Sequence, residues 1–314
     1  MLDRRNVLVS IASSGMAAGI CRNPFPAAAF EFGEVGAIKS GQGEVQRFPS
    51  EVDGDEYVHH RIDTNVTLFR WPFRRLPLDS TVKLHDRLRG LGMTQAWAGS
   101  FEGVFHRDLR TVNQRLVRRC ERDSFFRPLG SVNLSLPDWK NDLICCIHEH
   151  RMTGIRLHPN YHQYNIRDQK FHDLIRIAAS ENIVVQIAVA LEDTRTQNPL
   201  ATVPDVDLAG LELALEKNEG AKVQLLNCRS LSGLPRELTS CDNIFFDTSR
   251  MDSTDGLARI MEEVPADRIL YGSHAPLLIT EAALIRVHES NLSVQDQAKV
   301  LYVNALRLSK KVGV

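Results

Sequence analysis

Neither sign of charge dominates this chain. Its 38 lysines and arginines nearly cancel 39 aspartates and glutamates, and the formal net charge of -1 gives no long-range pull toward nucleic acid or an anionic lipid surface. The basic run from Arg70 to Arg75 is too short to supply such a surface alone. Long apolar runs are missing too: Val7 to Ile20 is short, mild and rich in Ala, Ser and Gly, so no stable membrane span is expected. The six cysteines make no disulfide framework, because Cys145 and Cys146 are adjacent on a helix-like stretch and poorly placed to pair with each other. Cys120, Cys145, Cys146, Cys228 and Cys241 read as small core residues. No Gly-x-Gly-x-x-Gly follows the first strand-like run, which speaks against a dinucleotide site, and no Gly-x-Ser-x-Gly elbow supports a serine hydrolase.

What is present is a chain of 314 residues, 43% hydrophobic and 25% charged, long enough for one barrel of about 250 residues plus extensions. Residues 1–29 read as a twin-arginine signal peptide. Asp3-Arg4-Arg5-Asn6-Val7-Leu8 lies close to the export consensus, and Ala27-Ala28-Ala29 offers small residues for cleavage before Phe30. The mature protein is therefore expected in the periplasm or otherwise exported. Residues 30–60, rich in Gly, Glu and Ser, predict a linker, and 61–314 the folded barrel. From Ile62 onward strand-like runs recur at Ile62–Leu68, Met93–Ala98, Leu129–Leu134, Gly154–Leu157, Ile183–Ala190, Lys222–Leu226, Asn243–Asp247 and Ile269–Gly272. Helical spacing fills the gaps: after Asp79 or Ser80 as a cap, over Leu109–Arg119, after Pro137-Asp138, and over Phe171–Ala179, Leu208–Leu215, Leu257–Glu263 and Ala282–His288. Only Ser230–Ser240, broken by Gly233 and Pro235, leaves room for little more than a turn, and a last helix over Ser293–Leu308 is expected to close the barrel bottom or pack outside it. Eight strands alternating with helices predict a closed (β/α)8 TIM barrel of the α/β class, with its site at the carboxyl ends of the strands.

The stretch Arg61–Arg75, RIDTNVTLFRWPFRR, runs from a buried strand into a loop with two aromatics beside three cations: Arg70, Arg74 and Arg75 flank Trp71, Pro72 and Phe73. It predicts a packed, charge-lined pocket mouth, with a bare surface loop as the alternative. The frame resembles the first strand of the amidohydrolase-related TIM barrels, where Asp-x-His-x-His precedes a Trp-Pro-Phe-Arg-like loop. Gly154-Ile155-Arg156-Leu157-His158-Pro159-Asn160-Tyr161 resembles that family's fourth strand, Ile269 to Pro276 its eighth, and Asn304-Ala305-Leu306-Arg307-Leu308 its usual ending.

The resemblance implies a metal-dependent-hydrolase-like fold over Ile62 to Leu308, and it also fixes where metal ligands would stand. They fall on Asn65, Thr67, Ala188, Asn227 and His274, a set poorly suited to zinc, which prefers imidazole, thiolate and carboxylate. No metal and no cofactor is therefore expected. The polar residues left at the strand ends form either a self-satisfied network or a pocket for a polar ligand. His274, Asp247 and Asn65 are the candidate catalytic residues, with His274 an acid or base if Asp247 or Asp63 orients it, or a structural histidine otherwise. Arg156 points at a substrate carboxylate or at Glu192; His158 is a ligand contact or loop structure. Arg70, Arg74 and Tyr161 are further candidates for substrate binding, as are Gln186, Glu192, Arg195 and Asn227. His148 and His150 lie two apart on a helix and are expected to be exposed. The expected function is hydrolysis, without metal, of a small polar and anionic compound, an activated lactone or ester being favoured because arginines can stabilise the developing charge. The alternative is a non-catalytic barrel that binds a small molecule. No nucleic-acid partner is expected.

Overall fold

The computed structural model describes residues 60–229 and 234–309. The predicted signal peptide and all but the last residue of the predicted linker lie outside the described residues. Ile62–Leu68 (β1), buried throughout, pairs in parallel with Gln95–Ser100 (β2), and β2 pairs with Phe126–Pro128 (β3). Gly130–Ser131 (β4), Gly154–Leu157 (β5), Val184–Ala188 (β6), Lys222–Leu226 (β7), Ile244–Asp247 (β8) and Ile269–Leu270 (β9) follow as parallel neighbours in chain order. β3 and β4 are halves of one barrel strand. The ladder breaks after Pro128, which has no N–H to give, but Leu129 N–H still donates to the Ala98 carbonyl at 2.9 Å. At the other seam Thr64 N–H donates to Tyr271 O and Thr67 N–H to Ala275 O, both at 2.9 Å, and Val66 bridges Ala275. These bonds close the ring of eight.

The helices sit where the apolar period placed them. α1 (Thr81–Gly90) turns Leu84 and Leu88 inward. Ser80 holds its N-cap position without a side-chain cap bond, while Asp79 is taken by Arg75 instead. After the short α2 (Glu102–Phe105), α3 (Leu109–Glu121) buries Leu109, Val112, Leu116 and Cys120, and Asp108 caps it by accepting from Thr111 N–H at 3.0 Å. α4 (Trp139–Ile144) runs into a wide π turn, Cys145–Glu149. α5 (Pro159–His162), α6 (Gln169–Ser180), α7 (Leu211–Glu216), α8 (Arg236–Ser240), α9 (Gly256–Met261) and α10 (Thr280–Glu289) complete the series. The final segment is less regular than one helix: α11 (Val294–Ala298) and α12 (Asn304–Ser309) are joined by a second π turn. Asn304 pins it by donating to Ala266 O and Ile269 O at 2.7 and 2.8 Å.

The core is layered along the barrel axis. At the bottom Ile62, Trp97, Leu129, Val184, Phe245 and Leu270 pack with Ala305 and Leu308, so the last helix closes that end. At the top Trp71, Phe101, Val104, Ala188 and Leu191 form a separate apolar cluster. Between them the interior is polar: Thr64, Gln186 and Gln224 are fully buried. Cys120, Cys145, Cys146 and Cys228 are buried, Cys241 is half-buried, and all five are free thiols. His148 is exposed, as expected, but His150 is half-buried with Nε2 3.5 Å from Cys145 Sγ, because the π turn swings it toward the helix body.

Candidate active site

Two polar clusters occupy the strand ends. In the first, Asn65 of β1 donates through Nδ2 to Asn227 Oδ1 at 2.8 Å and to Asp247 Oδ2 at 2.6 Å. Asn227, just past β7, donates its N–H to Asp247 Oδ1 at 2.9 Å and its Nδ2 to Ala190 O at 2.6 Å, while Ser249 Oγ donates to its Oδ1 at 2.9 Å. Burial pushes Asp247 up to about 6, and the hydrogen bonds from Asn227, Asn65 and Ser249 oppose that rise. Asp63 is likewise pushed up to about 6 by burial. Its Oδ1 takes the N–H groups of Asn65 and Ser273, both at 3.0 Å, and its Oδ2 is unpaired.

The second cluster begins with Arg156 on β5. Nε donates to Gln186 Oε1 at 2.8 Å, and Nη1 to Val66 O at 2.9 Å and Thr67 Oγ1 at 3.0 Å. Gln186 Nε2 donates on to Gln224 Oε1, Gln224 Nε2 to Thr64 Oγ1, and Thr64 Oγ1 to Tyr271 O, at 2.8, 2.8 and 2.9 Å. This chain of amides across the barrel holds the guanidinium by neutral acceptors alone. The expected pairing of Arg156 with Glu192 does not occur. Glu192 is held by Arg74 instead, at 2.6 Å from Nη2. Arg156 is 2% exposed, its Nη2 has no partner, and burial lowers its pKa to about 10.

Beside it stand two histidines. His274, in the left-handed region at φ 57°, meets the Leu191 carbonyl through Nε2 at 2.7 Å. It is oriented by that backbone oxygen and by neither Asp247 nor Asp63, which corrects the sequence expectation; the long loop after β6 reaches over the mouth and presents its carbonyl first. A carbonyl only accepts, so Nε2 carries the hydrogen and the unpaired Nδ1 keeps its lone pair. Burial drives His274 down to about 3, with Arg250 and Arg156 adding to the fall. His158 is buried with Nδ1 unpaired and lies 5.8 Å, ring to ring, from His162. Burial takes its pKa well below the ordinary value, helped by His162, Arg156 and His274.

The other named residues lie around this mouth. Trp71 packs against Phe73, Phe101, Phe105 and Tyr161 at centroid separations of 5.2 to 6.4 Å. Tyr161 thus belongs to an aromatic cap, and burial pushes its phenol up to about 12. Arg70, Arg74 and Arg75 are exposed; the loop is packed through its rings and lined by charge only outside. Arg195 turns back on Asp193 at 2.9 Å with its side chain 86% exposed, so it does not join the buried clusters. The sequence reading missed Thr64, Gln224, Ser249 and Arg250. For Gln224 a signal existed: Val-Gln followed by an aliphatic recurs in VVQIA and KVQLL, β6 and β7.

Zinc or manganese does not fit the first cluster. The Asn65 amide turns hydrogens, not lone pairs, toward Asn227 and Asp247, and Ala188 offers no donor atom and packs into the apolar cap. Among the described residues no three His, Cys, Asp or Glu side chains converge to hold a metal ion.

A family model described as Amidohydrolase matches residues 59–309. No curated protein matches the chain. Among solved structures, the dihydroxybenzoic acid decarboxylase from Polaromonas sp. JS666, with bound manganese and the inhibitor 2-nitroresorcinol, aligns with a TM-score of 0.64 at 13% identity, covering 80% of this chain and 97% of that one. The 5-carboxyvanillate decarboxylase from Novosphingobium aromaticivorans, complexed with manganese and a nitrobenzoic acid, gives 0.62 at 13% identity, covering 82% and 97%. The 2,6-dihydroxybenzoate decarboxylase from Rhizobium gives 0.61 at 14% identity, covering 80% and 98%. At such identities the likeness speaks for the fold alone.

Proposed function

Since the chain belongs to the amidohydrolase family, we propose that it is a metal-independent hydrolase of a small anionic compound, a lactone or carboxylate ester, bound at Arg156, His158 and His274. The observation that carries this reading is the set of buried, unpaired nitrogens on those three side chains: Nη2, Nδ1 and Nδ1. A buried donor or acceptor without a partner costs about 1–3 kcal/mol, and a ligand oxygen meeting these atoms would recover it. In the proposed step His274 Nδ1 accepts a proton from water as the oxygen attacks the ester carbon, Arg156 Nη2 donates to the oxyanion that forms, and the protonated ring returns its proton to the departing alkoxide as the ester carbon–oxygen bond breaks. An imidazole held near 3 by burial, with only cations beside it, is a weak base. An anionic ligand beside it raises that basicity, so base strength arrives with the substrate. That the structural neighbours are named for aromatic carboxylic acids agrees with an anionic substrate.

A second reading, binding without turnover, is favoured by one feature: Ala188, where the resemblance puts a metal ligand, offers no donor atom and packs into the apolar cap. A screen of lactones and carboxylate esters, run on chelator-treated protein, separates the two. Turnover that survives the chelator supports the hydrolase. Binding without turnover supports the second reading, and activity restored only by added metal rejects the metal-independent mechanism.

Export through the twin-arginine pathway belongs to the same proposal and rests on Arg4-Arg5 and the Ala27-Ala28-Ala29 site. Mass spectrometry of the native protein is expected to find an N-terminus at Phe30. An intact Met1 form as the sole species would contradict it. Among the described residues no helix is long and apolar enough to cross a membrane.

A further inference from the structure

Arg250, in the loop after β8, has no role in the proposed step, yet its surroundings resemble those of Arg156. Its Nη2 donates to the Leu191 carbonyl at 3.1 Å, the same oxygen that meets His274 Nε2 at 2.7 Å. Two donors on one oxygen bring the guanidinium beside the imidazole. Its Nε is buried and unpaired. The nearby acids are engaged elsewhere: Asp193 with Arg195 and Arg229, Asp205 with Arg229, and Asp252 with Arg286. Among the described residues no carboxylate lies within ion-pair distance of Arg250 or of Arg156. Both cations also act electrostatically on His274. Arg156 is buried and Arg250 half-buried, and each has only neutral hydrogen-bond acceptors, while Asp193, Asp205 and Asp252 act on Arg250 from beyond ion-pair distance. An unpaired nitrogen on each cation, with both acting on one neutral imidazole, favours an anion there.

We propose that Arg250 is a second anion-binding residue of this site, taking the carboxylate of the ligand while Arg156 faces the group that reacts. The inference rests on the proposed site and divides its labour. Arg250 fixes which compounds bind, and Arg156 stabilises the charge that appears during reaction.

The test is equilibrium titration of the full chain with benzoate and with benzamide, its uncharged analogue. The parent protein is expected to prefer benzoate. Arg250→Met is expected to weaken benzoate by about tenfold or more, the usual worth of a charge-assisted hydrogen bond, and to leave benzamide nearly unchanged. Arg250→Lys, which keeps the charge and spares the fold should the Met variant fail to fold, is expected to recover part of the preference. Benzoate binding that is lost in Arg156→Met but undiminished in both Arg250 variants would overturn this inference and leave the proposed site standing. A parent protein that binds benzoate no better than benzamide would overturn both.

Discussion

The two polar clusters at the barrel mouth are built from the same kinds of side chain and differ in how far they satisfy one another. Around Asn65, Asn227 and Asp247 the bonds run in a circuit, and none of these side chains, nor Ser249, appears among the buried groups without a partner. Around Arg156, His158 and His274 the bonding is one-sided. Each side chain is anchored at its back or packed in place, and each keeps one buried nitrogen unmatched. A closed circuit is architecture, because anything entering it must first break bonds worth as much as those it makes. A one-sided cluster has its bonds still to form. The positions where the resemblance puts metal ligands are thus divided: Asn65 and Asn227 join the closed circuit, while His274 stands in the one-sided cluster.

The sharpest way to break this contrast is by truncation. Asn227→Ala abandons Asn65, Ser249 and the Ala190 carbonyl together, and should cost about 3 kcal/mol or more in denaturant unfolding. Arg156→Met should cost about 1 kcal/mol, since losing its neutral acceptors is partly offset by removing a buried cation that has no ion-pair partner. Equal costs would mean that the two clusters are equally structural.

A matched pair of glycines sharpens it further. A Cβ on Gly272 would stand 2.9 Å from Asn65 Cβ and from Asp247 Oδ2; one on Gly99 would stand 2.8 Å from Arg156 Nη1. Gly272→Ala presses on the closed circuit and should destabilise by about 2–3 kcal/mol, in the upper range for overpacking. Gly99→Ala presses on a side chain with one unbonded arm. It should cost about 1 kcal/mol of stability, yet lower ligand affinity or turnover by about tenfold as Arg156 is displaced. A Gly99→Ala protein with parental activity would separate Arg156 from function.

The smallest effect is that of pH. Asp63 and Asp247, raised to about 6, keep protons in the folded chain that the unfolded chain has released, so their contribution is full at low pH and declines as pH rises to 6. The buried rings act oppositely. His162, lowered to about 4 by burial, and His274, lowered to about 3, with His158 well below its ordinary value, refuse protons that the unfolded chain accepts below 6.5. Their contribution is full above 6.5 and is lost as pH falls toward 4. Three rings outweigh two carboxyls in that window, so the melting temperature should fall on acidification from 6.5 to 4. A rise would mean that the carboxyls dominate.

Much of this was readable in the chain. Ile62–Leu68, Gly154–Leu157 and Lys222–Leu226 occur with the predicted bounds, because fully buried parallel strands leave unbroken apolar runs between polar turns. The split of the third strand was hidden, since the pattern there continues across Pro128. At the site, Asn65, Asn227 and His274 could be named because the family resemblance puts metal ligands there, and Arg156 and Asp247 because they fall at or near strand ends. Which of them would bond to which depends on barrel closure and on the loop after β6, whose Leu191 carbonyl takes the place predicted for a carboxylate. A backbone oxygen delivered by a loop leaves no mark in the sequence. Arg250 was missed for the same reason: it lies in an aperiodic turn, and only the shared carbonyl ties it to His274.

The central claim, that the one-sided cluster does the chemistry and the closed circuit does not, is tested most directly by the hydrolysis rate of chelator-treated His274→Ala on a lactone or carboxylate ester that the parent protein cleaves. The fold of the variant should be intact, because Arg250 still occupies the Leu191 carbonyl. The account predicts a rate about 10²-fold lower or less than that, the usual scale for losing a general base. A folded His274→Ala protein that turns over the same substrate at the parental rate would contradict it.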